Sequence, residues 1–165
     1  MLPPISPLES KNNLTERYQI QYRYYMKTGR IILDTNVLYS GLYSADGASY
    51  QVLRAIERGQ VRIVVSTTLL FEYEDVLYRK QAELGLLDQD IDAVLDNVCD
   101  MGDHQRIYFL WRPFLPDPKD DHVLEVAVAS HTPTIVTHNI KDFKGIAKAF
   151  DVRAIPPKDL LEEIR

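Results

Sequence analysis

The sequence predicts an α/β protein in which a central parallel sheet of about five strands is covered by helices on both faces. Three observations carry that expectation. Short β-branched apolar runs recur along the chain, with RIIL, VRIVV and TIV the clearest. Between them lie longer stretches in which apolar residues return at helical spacing, and parallel strands need such crossovers. The runs are apolar at consecutive rather than alternate positions, the pattern of strands buried on both sides.

Taken in order, residues 1–29 combine early prolines with the tyrosine-rich YQIQYRYYMKTG and show neither period. They are expected to form a flexible N-terminal extension, dispensable for folding, to a domain spanning 30–165. RIILD is the first strand. Helical material follows over about 36–58 and stops at Gly59. VRIVVS (61–66) is the second strand, and TTLLFEYEDVLYRKQAELG is a helix stopped at Gly85. Asp88 can cap a third helix carrying Ile91, Val94, Leu95 and Val98 at helical spacing. IYFLW (107–111) reads as a strand ended by Arg112-Pro113. Asp117-Pro118-Lys119-Asp120 is a helix start, with a cap, a first-turn proline and an early carboxylate, and the helix runs to about Ser130. TIVT (134–137), a short helix in FKGIAKAF, the strand VRAI and the helix PKDLLEEI complete the chain.

Composition narrows the function. With 165 residues and 45% hydrophobic content the chain can build one real core. A formal charge of -5, from 24 acidic and 19 basic residues, argues against a protein that coats nucleic acid non-specifically. It leaves room for a nuclease, because acids that hold cations are neutralised in the working site. Cys99 is the single cysteine, so neither an intramolecular disulfide nor a cysteine-rich zinc site is available. His104, His122, His131 and His138 form no pair at zinc-ligand spacing, and no GxxxxGK[ST] loop occurs. No secretory apolar core or membrane-length run is seen, so a cytoplasmic protein is expected.

The acids then attract attention. Asp34 directly follows the first strand, and Asn139 and Asp142 follow TIVT. Glu72 lies early in the helix after VRIVVS, and Asp120 and Asp121 lie at the start of the helix opened by Asp117. Ligands of open parallel sheets bind beyond the carboxyl ends of the strands, where these segments would meet. Singly, Asp34 and Asp142 read as helix caps and Glu72 as a solvated helix residue. Together they point to a divalent-cation site, since clustered carboxylates need positive charge between them and hard cations such as Mg²⁺ or Mn²⁺ prefer oxygen ligands. An aspartyl-phosphate enzyme is disfavoured by Asn36 two residues after Asp34 and by Leu33 before it.

DTNVL, LLFEYEDVL, DPKDDHVLEVAVAS and IVTHNIKDF, in that order, resemble the successive acidic motifs of PIN-domain nucleases, particularly the toxins of toxin-antitoxin pairs. The resemblance covers roughly 30–157 and implies a PIN-like fold and Mg²⁺- or Mn²⁺-dependent endonucleolytic cleavage of RNA, water attacking phosphorus in line without a covalent intermediate. It further implies that Asp34, Glu72 and Asp121 are metal-binding acids, with Asp120 the near alternative to Asp121. Asn139 stands where many relatives carry an acid, which leaves Asp142 as the fourth carboxylate. Thr35, Asn36, Thr137 and Asn139 would orient acids, water or substrate. An antitoxin would be the protein partner, and the acidic residues of the third helix offer it a surface. Phe71 and Tyr78, off the main apolar stripe of their helix, suggest a second buried surface, either on another helix or in a homodimer. A PIN-like binding module without catalysis is the competing function.

Overall fold

The computed structural model describes residues 29–165; the N-terminal extension read from the sequence lies outside the described residues. Five strands, β1 (Arg30–Leu33), β2 (Arg62–Val65), β3 (Asp103–His104), β4 (Thr134–Val136) and β5 (Arg153–Ile155), form one parallel sheet in the order β3-β2-β1-β4-β5. The chain builds outward from β1 to β2 and β3, then returns to place β4 on the other side of β1. The reversal puts a topological switch point between β1 and β4. That is where open α/β sheets leave a crevice.

In β1, Ile31, Ile32 and Leu33 are all buried, as are Ile63, Val64 and Val65 in β2. Successive strand side chains point to opposite faces, so consecutive burial means that both faces are covered. Each such side chain contributes about 1.5–3 kcal/mol by leaving water. The register aligns Ile31 with Ile63 and Leu33 with Val136, so the apolar runs fall side by side.

The helical stretch after β1 is two helices, α1 (Thr35–Tyr43) and α2 (Ala48–Glu57), rather than one. The break falls at Ser44 to Gly47, where Ser44, Asp46 and Gly47 are poor helix formers. After β2 come α3 (Thr67–Arg79) and the single turn α4 (Gln81–Leu84), which ends on Gly85 at φ 64° as the glycine stop requires. Ser66 caps α3, its hydroxyl accepting from the Leu69 N–H at 3.2 Å. The next helix, α5 (Asp88–Met101), starts one residue earlier than expected: Leu87, not Asp88, is the cap, and its N–H donates to the Asp90 carboxylate at 2.8 Å. Tyr78 of α3 donates to Asp92 of α5 at 2.8 Å but, like Phe71, is exposed, so the two do not form a second buried surface within this chain.

The largest departure concerns IYFLW, which forms no strand. The edge position beside β2 is taken by Asp103 and His104, paired with Val64 and Val65. Gly102 lets α5 deliver them there, because a Cβ would lie 2.8 Å from the Val98 carbonyl oxygen. A two-residue polar edge strand carries no apolar signal, and IYFLW, left without a strand to pair with, becomes part of an irregular segment over 105–117. A 3₁₀ turn (Pro118–Asp120), capped by Asp117 at 2.9 Å to the Lys119 N–H, leads into α6 (Asp121–Ala129). This helix packs against β1, β2 and β4 and buries Val123, Leu124, Val126 and Ala127. A 3₁₀ turn (Ile140–Phe143), α7 (Ile146–Phe150) and α8 (Pro157–Glu163) complete the fold. Among the described residues no helix is long and apolar enough to cross a membrane.

Candidate active site

At the switch point the carboxyl ends of β1 and β4 sit side by side, joined by the Asp34 N–H to the Val136 carbonyl at 3.0 Å. Asp34 occupies the cap position of α1, but its side chain makes no cap hydrogen bond. Instead Oδ2 accepts from the Thr137 hydroxyl at 2.6 Å and from Asn36 Nδ2 at 3.0 Å. Thr137 Oγ1 also accepts from Asn36 Nδ2 at 3.2 Å and from the Asn139 N–H at 3.0 Å. The hydroxyl thereby ties the ends of both strands to one acid. Asn36 Oδ1 takes the His138 N–H at 3.2 Å, and the His138 ring reaches Ser49 of α2 at 2.8 Å. Asn139 itself contributes its backbone here, while its side chain is exposed.

Glu72 approaches from α3. Its Oε2 accepts from the Thr35 hydroxyl at 2.7 Å and from His122 Nε2 at 2.6 Å. Tyr73, the next residue, is fully buried and donates to the Leu33 carbonyl, which fixes α3 against the end of β1. His122 was not singled out as a site residue by the sequence. The signal was its place two residues after Asp120, at the mouth of a helix otherwise made of core residues.

Asp120 and Asp121 are adjacent and lead different lives. Asp121 is fully buried, and its carboxylate accepts from the backbone N–H groups of Leu115 at 2.8 Å and Phe114 at 3.3 Å. It holds the 105–117 segment to the start of α6. Asp120 sits at the cap position of α6 without capping it. Burial, then the charges of Asp34, Asp117, Asp142 and Glu72, push its carboxyl up to about 6. Besides its own neighbour Asp117, the acids that act on it come from the end of β1, from α3 and from the 3₁₀ turn after β4.

The other groups respond in kind. Burial raises Asp34, the Thr137 hydrogen bond opposes this, and the Glu72 charge adds to it. Burial would raise Glu72 too, but the hydrogen bonds from His122 and Thr35, with the charges of His122 and Arg79, leave it lowered. For His122, burial pulls down while the bond to Glu72 and its charge raise the imidazole above its ordinary value. One imidazole therefore serves an otherwise acidic cluster, and its acids favour the protonated form.

A family comparison matches residues 30–141 to the PIN domain. The chain belongs to the PIN-domain family. PIN domains are generally metal-dependent nucleases, and nucleic acid is the substrate class the fold implies. A comparison with curated proteins finds no significant match. The five-stranded parallel sheet with its helices agrees with the PIN-like fold expected from the sequence.

The donor set of this PIN domain fits a hard divalent cation in chemistry: carboxylate oxygens from Asp34, Glu72, Asp120 and Asp142. Among the described residues no three such groups are drawn together into a ready chelate. Mg²⁺ is held through one or two carboxylates and several waters, so a gathered but open set of acids suits it.

Proposed function

We propose that the protein is a divalent-metal-dependent endoribonuclease that hydrolyses phosphodiester bonds with Mg²⁺ or Mn²⁺. The observation that carries this reading is the gathering of acids from four segments at the β1/β4 switch point, where neither Asp34 nor Asp120 is used to cap the helix it precedes. A structural role would have spent those carboxylates on helix N–H groups, as Asp117 does.

Asp34, Glu72, Asp120 and Asp142 would hold the cation. Asp120 takes the place first given to Asp121, whose oxygens are committed to backbone N–H groups. Once bound, the cation supplies charge that offsets the acids, lowers the pKa of water and stabilises negative charge on phosphoryl oxygens. Thr137 and Asn36 fix the Asp34 carboxylate by donating to Oδ2. Thr35 and His122 hold Glu72 in the same way and keep it ionised. His122 is a positioning residue that orients Glu72 through its 2.6 Å hydrogen bond.

The test is cleavage of labelled RNA of several sequences in Mg²⁺ and in Mn²⁺, with Asp34→Asn as control and circular dichroism to show that it folds. Cleavage lost in Asp34→Asn supports the reading; no cleavage by the wild type in either metal sinks it and favours a binding module. The toxin role, with an antitoxin as partner, rests on the motif resemblance. Growth arrest on induced expression, relieved by Asp34→Asn and by a small DNA-binding protein encoded beside it, would support that role.

A further inference from the structure

The irregular segment over 105–117 exposes large rings where a folded chain normally hides them. Tyr108 is 86% exposed, Phe109 62% and Leu110 57%, with Trp111 and Phe114 about two-fifths exposed. Water-facing apolar groups in such density mark a binding surface rather than a scatter of single residues. The rings are fixed with respect to one another. Phe150 of α7 receives Trp111 at 5.0 Å and Phe114 at 4.9 Å, both edge-on at 70°, and Phe109 leans on Trp111 at 4.6 Å. Edge contacts hold a ring while leaving much of a face open.

Each end of this ridge is anchored to a segment that carries an acid of the candidate site. Phe114 is held through its N–H by Asp121, the neighbour of Asp120. Phe150 closes the segment that begins at Ile140 and carries Asp142, and Lys141, Lys144 and Lys148 on that segment are all exposed. In a chain of net charge -5 these lysines are a local exception, and they complement a phosphate backbone. Arg112, within the ridge, is engaged with Glu125 at 2.9 Å and helps to hold the segment in place.

We propose that the ridge of Tyr108, Phe109, Trp111, Phe114 and Phe150 is a stacking platform for the unpaired bases of single-stranded nucleic acid. Aromatic faces beside lysines bind single strands because every base has a π-face and every nucleotide a phosphate, whereas in a duplex the faces are hidden. A second copy of the chain could also cover apolar rings, but copies of net charge -5 repel one another, whereas a single strand offers the lysines a regular row of phosphates. The inference rests on the nuclease reading only in taking nucleic acid as the ligand.

Trp111 is the single tryptophan, so its emission reports on the ridge directly. The full chain is titrated in EDTA with single-stranded RNA, single-stranded DNA and duplex RNA of equal length, and with inorganic polyphosphate. Saturable quenching by single strands, much weaker for duplex, is expected; Tyr108→Ala and Phe109→Ala should each raise Kd about fivefold or more, the lower end of losing one base stack. Comparing RNA with DNA tells which backbone the platform accepts. An unresponsive Trp111, or the same response to polyphosphate, overturns the proposal. So does sedimentation showing a dimer that Phe109→Asp dissolves and oligonucleotides leave intact. Cleavage in Mg²⁺ without a Trp111 response removes the platform and leaves the nuclease; quenching without cleavage does the reverse.

Discussion

Asp120 and Asp121 show how far one peptide bond can separate two carboxylates. Neighbours at a helix start differ by about 100° around the axis, so only one can face a given rim. Asp121 shares its face with Glu125, four residues on, and both are buried against the 112–115 segment. Removing the Asp121 acceptor leaves two backbone N–H groups without it, so Asp121→Ala should lose about 1–3 kcal/mol in urea denaturation. Asp120→Asn should abolish RNA cleavage and leave the metal-free fold more stable, since it deletes a repelled charge. Melting temperatures in EDTA distinguish the two substitutions by sign. For His122→Ala, Glu72 keeps only the Thr35 bond, and the metal concentration giving half-maximal activity should rise about tenfold or more.

The segment over 105–117 is the element the sequence misrepresents. Its aromatic run has the composition of a strand, and composition cannot say whether a sheet edge is free to pair with it. In the fold it is held by Asp121 and by the two-pronged ion pair of Arg112 with Glu125, a residue 2% exposed. Arg112→Ala would leave that carboxylate buried alone. The full loss for a buried pair is about 3–5 kcal/mol, and because Arg112 is half-exposed we expect about 2 kcal/mol. Adding Glu125→Gln should recover part of it, as a double-mutant cycle in urea would show. The helical stretch after β1 erred less, since only its break near Gly47 was unread.

At the scale of the molecule, the acidic site sets stability against function. Unfolded, Asp120 releases its proton near 3.8; in the metal-free fold it keeps it to about 6. Across that window the fold binds a proton that the unfolded chain has lost, so this group's contribution falls as pH rises. The gap in melting temperature between Asp120→Asn and wild type in EDTA should therefore be small near pH 4, widen to about pH 6 and stay level above. A divalent cation at about a hundred times its Kd should restore about 2.7 kcal/mol to the wild type at neutral pH. Asp34→Asn should lose most of that gain in a thermal shift assay.

Strand runs, helix stops and the order of the acids were all written locally. RIIL, VRIVV and TIV announce buried parallel strands, and Asp34, Glu72 and Asp142 stand at the starts of the elements that follow such strands. Those features depend on periodicity and on neighbours a few residues away, which a sequence contains. The commitment of Asp121 to backbone N–H groups, the bond from His122 to Glu72 across fifty residues and the fate of IYFLW depend on groups that only folding brings together. Only the packing of α6 against β1, β4 and the 105–117 segment decided them, because a carboxylate becomes a structural acceptor only where packing brings a donor within its reach.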